Sequence, residues 1–191
     1  MPDKNKYPFI EGKNISFCVP NLENIKLYAS WDNHPEVRKY SRNLFPVNPE
    51  QYKKYLEDGQ DRVPREIGFE VWHNADDKLI GFIGFNHINW ADRYGNIGLT
   101  IGEPKYWNKN LGFEATYMIL EYGFNELNLV KITGNAYEMN IGSWKICEKI
   151  GMKRELVLKK QAYVKGKYVD EYQYYIFKVD WDQLRIKIEF K

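Results

Sequence analysis

The chain has 191 residues, 28% of them charged, with 28 lysines and arginines against 26 acidic side chains and a formal net charge of +2. That balance leaves no dominant acidic or basic field, and the dispersed basic residues argue against a dedicated nucleic-acid protein. The length suits one domain of mixed helix and strand, spanning 1–191, with its own core.

Aromatic residues reach 16%, a share that fits a cleft or interface lined with rings. Cys18 and Cys147 stand far apart and form no metal or redox motif, so reduced intracellular thiols are expected. His34, His73 and His87 lack ligand spacing, and no metal site is expected. No apolar run approaches membrane-spanning length, and the start Met1-Pro-Asp-Lys-Asn-Lys lacks a hydrophobic signal region. The expectation is a cytoplasmic enzyme or binding protein with no membrane partner.

In chain order, the alternation Ile15-Ser-Phe-Cys-Val19 predicts a first strand. Pro20 and Asn21 end it, and Asn21 caps a helix carrying Leu22, Ile25, Leu27 and Tyr28. A second helix is expected after Asn48-Pro49, since proline suits the first helical position. Ile67 to His73 and Leu79 to Asn86 read as two strands around the polar loop Asn74-Ala-Asp-Asp-Lys78. A turn-rich link, Ile88 to Gly95, leads to a fourth strand over Ile97 to Ile101. A loop with Asn108, Asn110 and Gly112 then opens a helix running to about Asn125, with Ala115, Met118, Ile119 and Tyr122 on one stripe. Val130 to Tyr137 is a fifth strand. Asn140 caps a helix that Gly151 stops, and Lys153 to Tyr163 with Tyr168 to Val179 form a closing hairpin.

The small or left-handed-tolerant residues at Asn110 and Gly112 let the loop turn its N–H groups toward one point. The helix N-terminus adds donors and a partial positive charge, which makes a seat for a diphosphate. The run Tyr106-Trp-Asn-Lys-Asn-Leu-Gly-Phe-Glu-Ala115 resembles the acyl-CoA-binding region of the GNAT N-acetyltransferase superfamily. That signature, Gln/Arg-x-x-Gly-x-Gly/Ala, follows the fourth strand and cradles the CoA diphosphate. Trp107, Asn108, Lys109, Asn110, Leu111 and Gly112 align with it, with Trp107 at the Gln/Arg position and Asn110 at the first glycine.

One branch, the ribosomal-protein N-terminal acetyltransferases of RimJ/RimL type, carries Tyr-Trp-Gly-Lys-Gly-x-Ala-x-Glu-Ala. Tyr106, Trp107, Lys109, Glu114 and Ala115 match it, with Asn108 and Asn110 standing for its glycines. Asparagine is the best non-glycine substitute at positive φ. The segment Trp31-Asp-Asn-His-Pro-Glu-Val-Arg-Lys-Tyr40 resembles the branch's Trp-x-Asn-Asp-x-Glu-Val, which lies between two early helices and borders the acceptor cleft. The element order β-α-α-β-β-β-α-β-α-β-β also matches, so the likeness covers roughly 9–181. It implies an α+β GNAT fold: a strongly twisted, mostly antiparallel sheet of about seven strands with about four helices, and acyl-CoA in the splay between strands 4 and 5.

The resemblance implies acetyl-CoA as cosubstrate and direct transfer to a primary amine. Leu99, Thr100 and Ile101 would hold the pantetheine and polarise the acyl carbonyl through backbone groups. Asn140 and Ser143 match the branch's Asn-x-x-Ser, where the asparagine contacts CoA and the hydroxyl reaches the sulfur; read alone they are helix-capping groups. The general base stays open. The family's fourth-strand glutamate is replaced by Asn96, and Asp170, which matches an aspartate common in the branch, stands beside Glu70, His87 and Glu171 as candidates. Trp31, Tyr40 and Trp90, with Trp107, are candidate acceptor-cleft residues.

The acceptor itself stays open between a protein N-terminus and a small-molecule amine such as a polyamine, amino sugar or antibiotic. Such folds commonly dimerise through their C-terminal strands, and the resemblance extends a homodimer to this chain. A second reading is an acyl-CoA-binding protein of the same fold with little catalysis, motivated by the two departures from glycine and the absent glutamate. A third, an RNA- or ribosome-binding module, rests only on aromatics and scattered lysines.

Overall fold

The computed structural model describes residues 7–58 and 63–188. The chain forms two compact units, Met1–Gly84 with Leu99–Ala115, and Phe85–Gly98 with Thr116–Lys191. The eight described strands are hydrogen-bonded in the order β1-β2-β3-β4-β5-β6-β8-β7.

In the first unit, β1 (Ile10–Glu11) and β2 (Ile15–Cys18) pair antiparallel, and β2 pairs antiparallel with β3 (Ile67–His73). Asn21 accepts from the Glu23 N–H and caps a 3-10 turn, Leu22–Asn24, that feeds α1 (Ile25–Asn33). The segment expected between two early helices is itself helical, which corrects the count. His34 ends α1 and caps α2 (Pro35–Ser41), its Nδ1 accepting from the Glu36 N–H, with Pro35 in the first turn. The helix restarts there because proline is pre-set for a first turn and has no N–H to leave unsatisfied.

The helix α3 (Pro49–Asp58) begins as expected: Asn48 Oδ1 accepts the Gln51 N–H at 3.1 Å, and Gln51 Oε1 accepts the Asn48 N–H at 2.8 Å. Strands β3 and β4 (Lys78–Asn89) flank the turn of residues 74–77. The core of this unit is aromatic. Tyr28, Trp31 and Leu79 are buried together, with Tyr52, Trp72 and Phe82 packed against them, and Phe82 meets the Tyr28 and Trp31 rings edge-on at 5.0 and 5.3 Å. Edge-on contact sets positive ring edges against negative faces.

In the second unit, the first half of β5 (Tyr94–Ile101) pairs parallel with β6 (Lys131–Tyr137), from Tyr94 opposite Lys131 to Ile97 opposite Gly134. The strand starts three residues earlier than its apolar run suggests, because Tyr94, Gly95 and Asn96 take part in that ladder. The following helix, α4 (Leu111–Glu121), begins in the first unit, and its second half continues in this one as a π-turn over Tyr122–Glu126. After α5 (Ile141–Lys149), β7 (Lys153–Val164) and β8 (Lys167–Phe177) form the expected hairpin, and β8 pairs antiparallel with β6.

A further helix, α6 (Lys178–Leu184), was not expected from sequence. It inserts Trp181 into this unit's core, where the indole is fully buried against Phe124 and Tyr117 and its N–H donates to Glu121 at 2.6 Å. The expected α+β architecture has eight strands and six α-helices among the described residues, rather than about seven and about four.

Candidate active site

The loop between β5 and α4 lies in the first unit, and its backbone is unusual at two places. Asn108 and Asn110 both adopt left-handed conformations, with φ of 59° and 60°. A β-branched or bulky residue would resist this, whereas asparagine tolerates it. Two left-handed residues around Lys109 fold the chain back on itself. Helix α4 then begins at Leu111, its first turn closed by the Glu114 N–H on the Asn110 carbonyl at 3.0 Å. The first-turn N–H groups of a helix point back at what precedes it, with the positive end of the helix dipole. An anion of diphosphate size suits this arrangement.

The loop is tied down at both ends. Trp107, half-buried, donates its indole N–H to the Ile101 carbonyl at 2.7 Å. The buried Glu114 takes both the backbone N–H and the side-chain amide of Asn14 at 2.8 Å, fastening the first turn of α4 to the β1–β2 turn. Tyr106, also buried, donates its hydroxyl to Asp76 at 2.5 Å. Burial and then the Asp76 carboxylate push the Tyr106 phenol up to about 12. In turn the Tyr106 hydroxyl holds the Asp76 carboxyl below the usual carboxylate range, with His73 and Lys105 adding to this against its desolvation. The ammonium groups of Lys105 and Lys109 stand 5.0 and 5.3 Å from the Tyr106 ring centre.

Strand parity sorts the three β5 residues expected to meet the cosubstrate. The Gly102 N–H donates to the Ile80 carbonyl at 2.8 Å, so the peptide groups of Gly102 and Thr100 turn toward β4. A Cβ on Gly81 would lie only 2.1 Å from the Thr100 oxygen, which is why β4 carries glycine there. Leu99 and Ile101 turn their peptide groups to the opposite edge, beyond the last residues of the β5–β6 ladder.

Of the expected acceptor-cleft residues, Trp31 is a core side chain, 2% exposed. A Cβ on Gly102 would come 2.1 Å from the Trp31 ring, so this indole fills the space under the turn that leaves β5. Its N–H donates to Glu103 at 3.3 Å, and Lys78 holds the other Glu103 oxygen at 3.0 Å. Burial opposes charge on Glu103, but the Lys78 ammonium and the Trp31 N–H outweigh it and hold that carboxyl low. Tyr40 is half-buried and meets the Trp107 ring edge-on at 5.8 Å. Glu70 is 2% exposed and accepts from the hydroxyl of Tyr28, the amide of Asn24, the indole of Trp72 and the Asn21 N–H. Burial, then the Glu70 partner, raises the Tyr28 phenol. So Glu70 closes a buried network and has its lone pairs engaged.

In the second unit, Asn140 caps α5. Its side-chain oxygen accepts from the Ser143 N–H at 3.3 Å, and the Ser143 hydroxyl has no hydrogen-bond partner among the described residues. Capping therefore uses Ser143 through its backbone and leaves the hydroxyl available. Asp170 receives Lys159 Nζ at 2.8 Å and the Lys160 N–H at 2.9 Å. Those two donors, Lys159 first, hold its carboxyl below the usual range. Asn96 donates to Thr133 at 3.0 Å and to Asn135 at 3.2 Å, and Asn135 donates to Glu171 at 2.9 Å. Trp90 is half-buried in the turn before β5, and the rings of His87 and Tyr94 stand 6.1 Å apart.

Asn14, Asp76 and Asn135 were not singled out from sequence, since each acts on a residue at least thirty positions away. Among the described residues no group of three or more His, Cys, Asp or Glu side chains could hold a metal ion, and no helix is long and apolar enough to cross a membrane.

A loop with two left-handed asparagines between a strand end and a helix N-terminus suits an anionic cosubstrate, and the family comparison supplies the class of protein. The acetyltransferase (GNAT) domain model matches residues 20–153, more than half of the chain, which therefore belongs to the GNAT acetyltransferase family. It is an acetyl-CoA-dependent N-acetyltransferase.

The chain is similar to the uncharacterized N-acetyltransferase YnaD of Bacillus subtilis (strain 168), 38% identical over 117 residues, which span 60% of this chain and 66% of that one. Among solved structures, a GNAT-family acetyltransferase from Bacillus anthracis superposes with a TM-score of 0.73 at 26% identity, covering 88% of this chain and 97% of that one. The spermidine N-acetyltransferase of Vibrio cholerae in complex with CoA and spermine shares the fold, with a TM-score of 0.77 at 22% identity over 89% of this chain and 99% of that one.

Proposed function

We propose that residues 9–181 act as one catalytic domain that transfers an acetyl group directly from acetyl-CoA to a primary amine. The observation that carries this is the pair of left-handed asparagines, Asn108 and Asn110, immediately before the N-terminus of α4. Backbone N–H groups from Asn108 to Gly112 hold the diphosphate, with Lys109 adding positive charge and Trp107 and Leu111 bracing the loop. Leu99 and Ile101 supply the peptide groups for the pantetheine amides and the acyl carbonyl, while Thr100 keeps the strand seated on β4. Asn140 orders the first turn of α5, and the Ser143 hydroxyl donates to the departing sulfur. A neutral amine is already a competent nucleophile, so no covalent enzyme intermediate is needed.

The acceptor is a protein N-terminus or a small-molecule amine. The motif shared with the RimJ/RimL branch supports the first, and the spermidine acetyltransferases among the structural neighbours support the second. Tyr40, on the Trp107 ring, and Trp90 are the aromatic groups assigned to it.

Calorimetric titration with acetyl-CoA, against CoA and ATP, on wild type and Gly112→Trp tests the diphosphate seat. Saturable binding that the variant loses supports it, and a folded wild type that binds nothing sinks it. Thiol release across an amine panel identifies which amine takes the acetyl group.

A further inference from the structure

We propose that Glu171 takes the proton from the acceptor ammonium, with Asn135 fixing its carboxylate. This rests on the acetyl-transfer reading above and gives that reaction the base it lacks at Asn96.

The register of β6 and β8 sets Asn135 opposite Gln173 and Tyr137 opposite Glu171. Opposed residues of an antiparallel pair share a face. On this face Asn96 reaches Asn135 at 3.2 Å, and Asn135 reaches Glu171 Oε1 at 2.9 Å. The result is a row of neutral carboxamides that ends in one carboxylate. Strand alternation sends the neighbouring Asp170 to the other face, where Lys159 and the Lys160 N–H occupy both of its oxygens. Glu155 is ion-paired to Lys131 at 2.8 Å. Glu171 differs from both in its partner: its side chain is held among the described residues by the neutral Asn135 on Oε1, so Oε2 remains to accept a proton.

Its position suits the reaction. Glu171 opposes Tyr137, whose carbonyl accepts the Asn140 N–H at 2.8 Å, and Asn140 begins the helix turn that carries Ser143. Within this unit the carboxylate and the unengaged hydroxyl therefore belong to the same end of β6.

The step balances. The acceptor arrives as an ammonium and gives one proton to Glu171, which frees its lone pair. Nitrogen bonds to the thioester carbonyl carbon, the C–S bond breaks, and the second nitrogen proton goes to the sulfur. Amide and thiol leave, and Glu171 returns its proton to water. A carboxamide at Asn96 has no basic lone pair for the first transfer.

The test measures thiol release from acetyl-CoA with spermidine, glucosamine and an alanine-ended peptide as acceptors, on wild type, Glu171→Gln and Glu171→Asp. With any acceptor that turns over, Glu171→Gln should lower kcat by about 10²-fold or more. KM and calorimetric acetyl-CoA binding should stay within a few-fold, and Glu171→Asp should restore part of kcat. A kcat unchanged in Glu171→Gln overturns the assignment alone. A wild type that binds acetyl-CoA but releases no thiol with any of the three overturns the acceptor reading, and the assignment with it. Should Glu171→Gln lose acetyl-CoA binding through misfolding, Glu171→Asp decides: a full wild-type kcat with the carboxylate drawn back by one methylene overturns the proposal.

Discussion

The indole N–H of Trp107 donates to the carbonyl oxygen of Ile101 at 2.7 Å. The last residue of β5 is thus held to the first residue of the phosphate-loop candidate by one hydrogen bond. Whatever orders the loop also orders the strand end, so pantetheine and diphosphate contacts are set together.

Trp107→Phe keeps the ring on Tyr40 but leaves the Ile101 carbonyl without this donor. Loss of a partly buried hydrogen bond costs about 1 kcal/mol. Denaturant unfolding should show that loss, and calorimetry should show acetyl-CoA binding several-fold weaker. Unchanged affinity would mean that the bond braces the fold and not the site.

Asn110, at φ 60°, separates backbone shape from side-chain chemistry. Asn110→Gly should keep both stability and acetyl-CoA affinity, because glycine adopts this conformation freely. Asn110→Val should lose about 1–2 kcal/mol of stability, the left-handed cost for a branched residue, and bind acetyl-CoA at least tenfold more weakly. Equal behaviour of the two variants would refute the loop-shape account.

Gly102→Ala puts a methyl group where the Trp31 ring already lies, 2.1 Å from its nearest atom. Overpacking of this kind costs about 1–3 kcal/mol. The variant should melt several degrees lower, and trimming the ring in Gly102→Ala/Trp31→Leu should recover part of the loss. A melting temperature equal to wild type would show that the turn after β5 moves freely.

Asp76 carries a pH signature. Its folded carboxyl is held low, chiefly by the Tyr106 hydroxyl, so its contribution to stability is present above the unfolded value and lost as pH falls through the folded one. Tyr106→Phe removes that hydroxyl. The gap in melting temperature between wild type and variant should be full near neutral pH and narrow below about pH 4. A gap independent of pH would assign the whole effect to packing.

Much of this molecule is legible in its sequence because the signals are local. Asn48 before Pro49, Asn140 before Ile141 and the asparagines at 108 and 110 specify caps and turns through groups no more than four residues away. Those determine where α3, α5 and the loop before α4 begin, and they carry the family. Tertiary structure decided what is made by partners far along the chain. Whether Trp31 faces a cleft or fills the core depends on Gly102, seventy-one positions later. Whether Glu70 is a base or a closed network depends on donors from Asn21, Asn24 and Tyr28. Asp170 and Glu171 are adjacent carboxylates, and in sequence the resemblance favours Asp170, which matches an aspartate of the branch. The pairing of β8 with β6, and a register shift in β7 between Leu158 and Ala162, send one to lysine and the other to asparagine. A strand's alternation determines that two neighbours face opposite ways, and only the register of its partners determines which way each one faces.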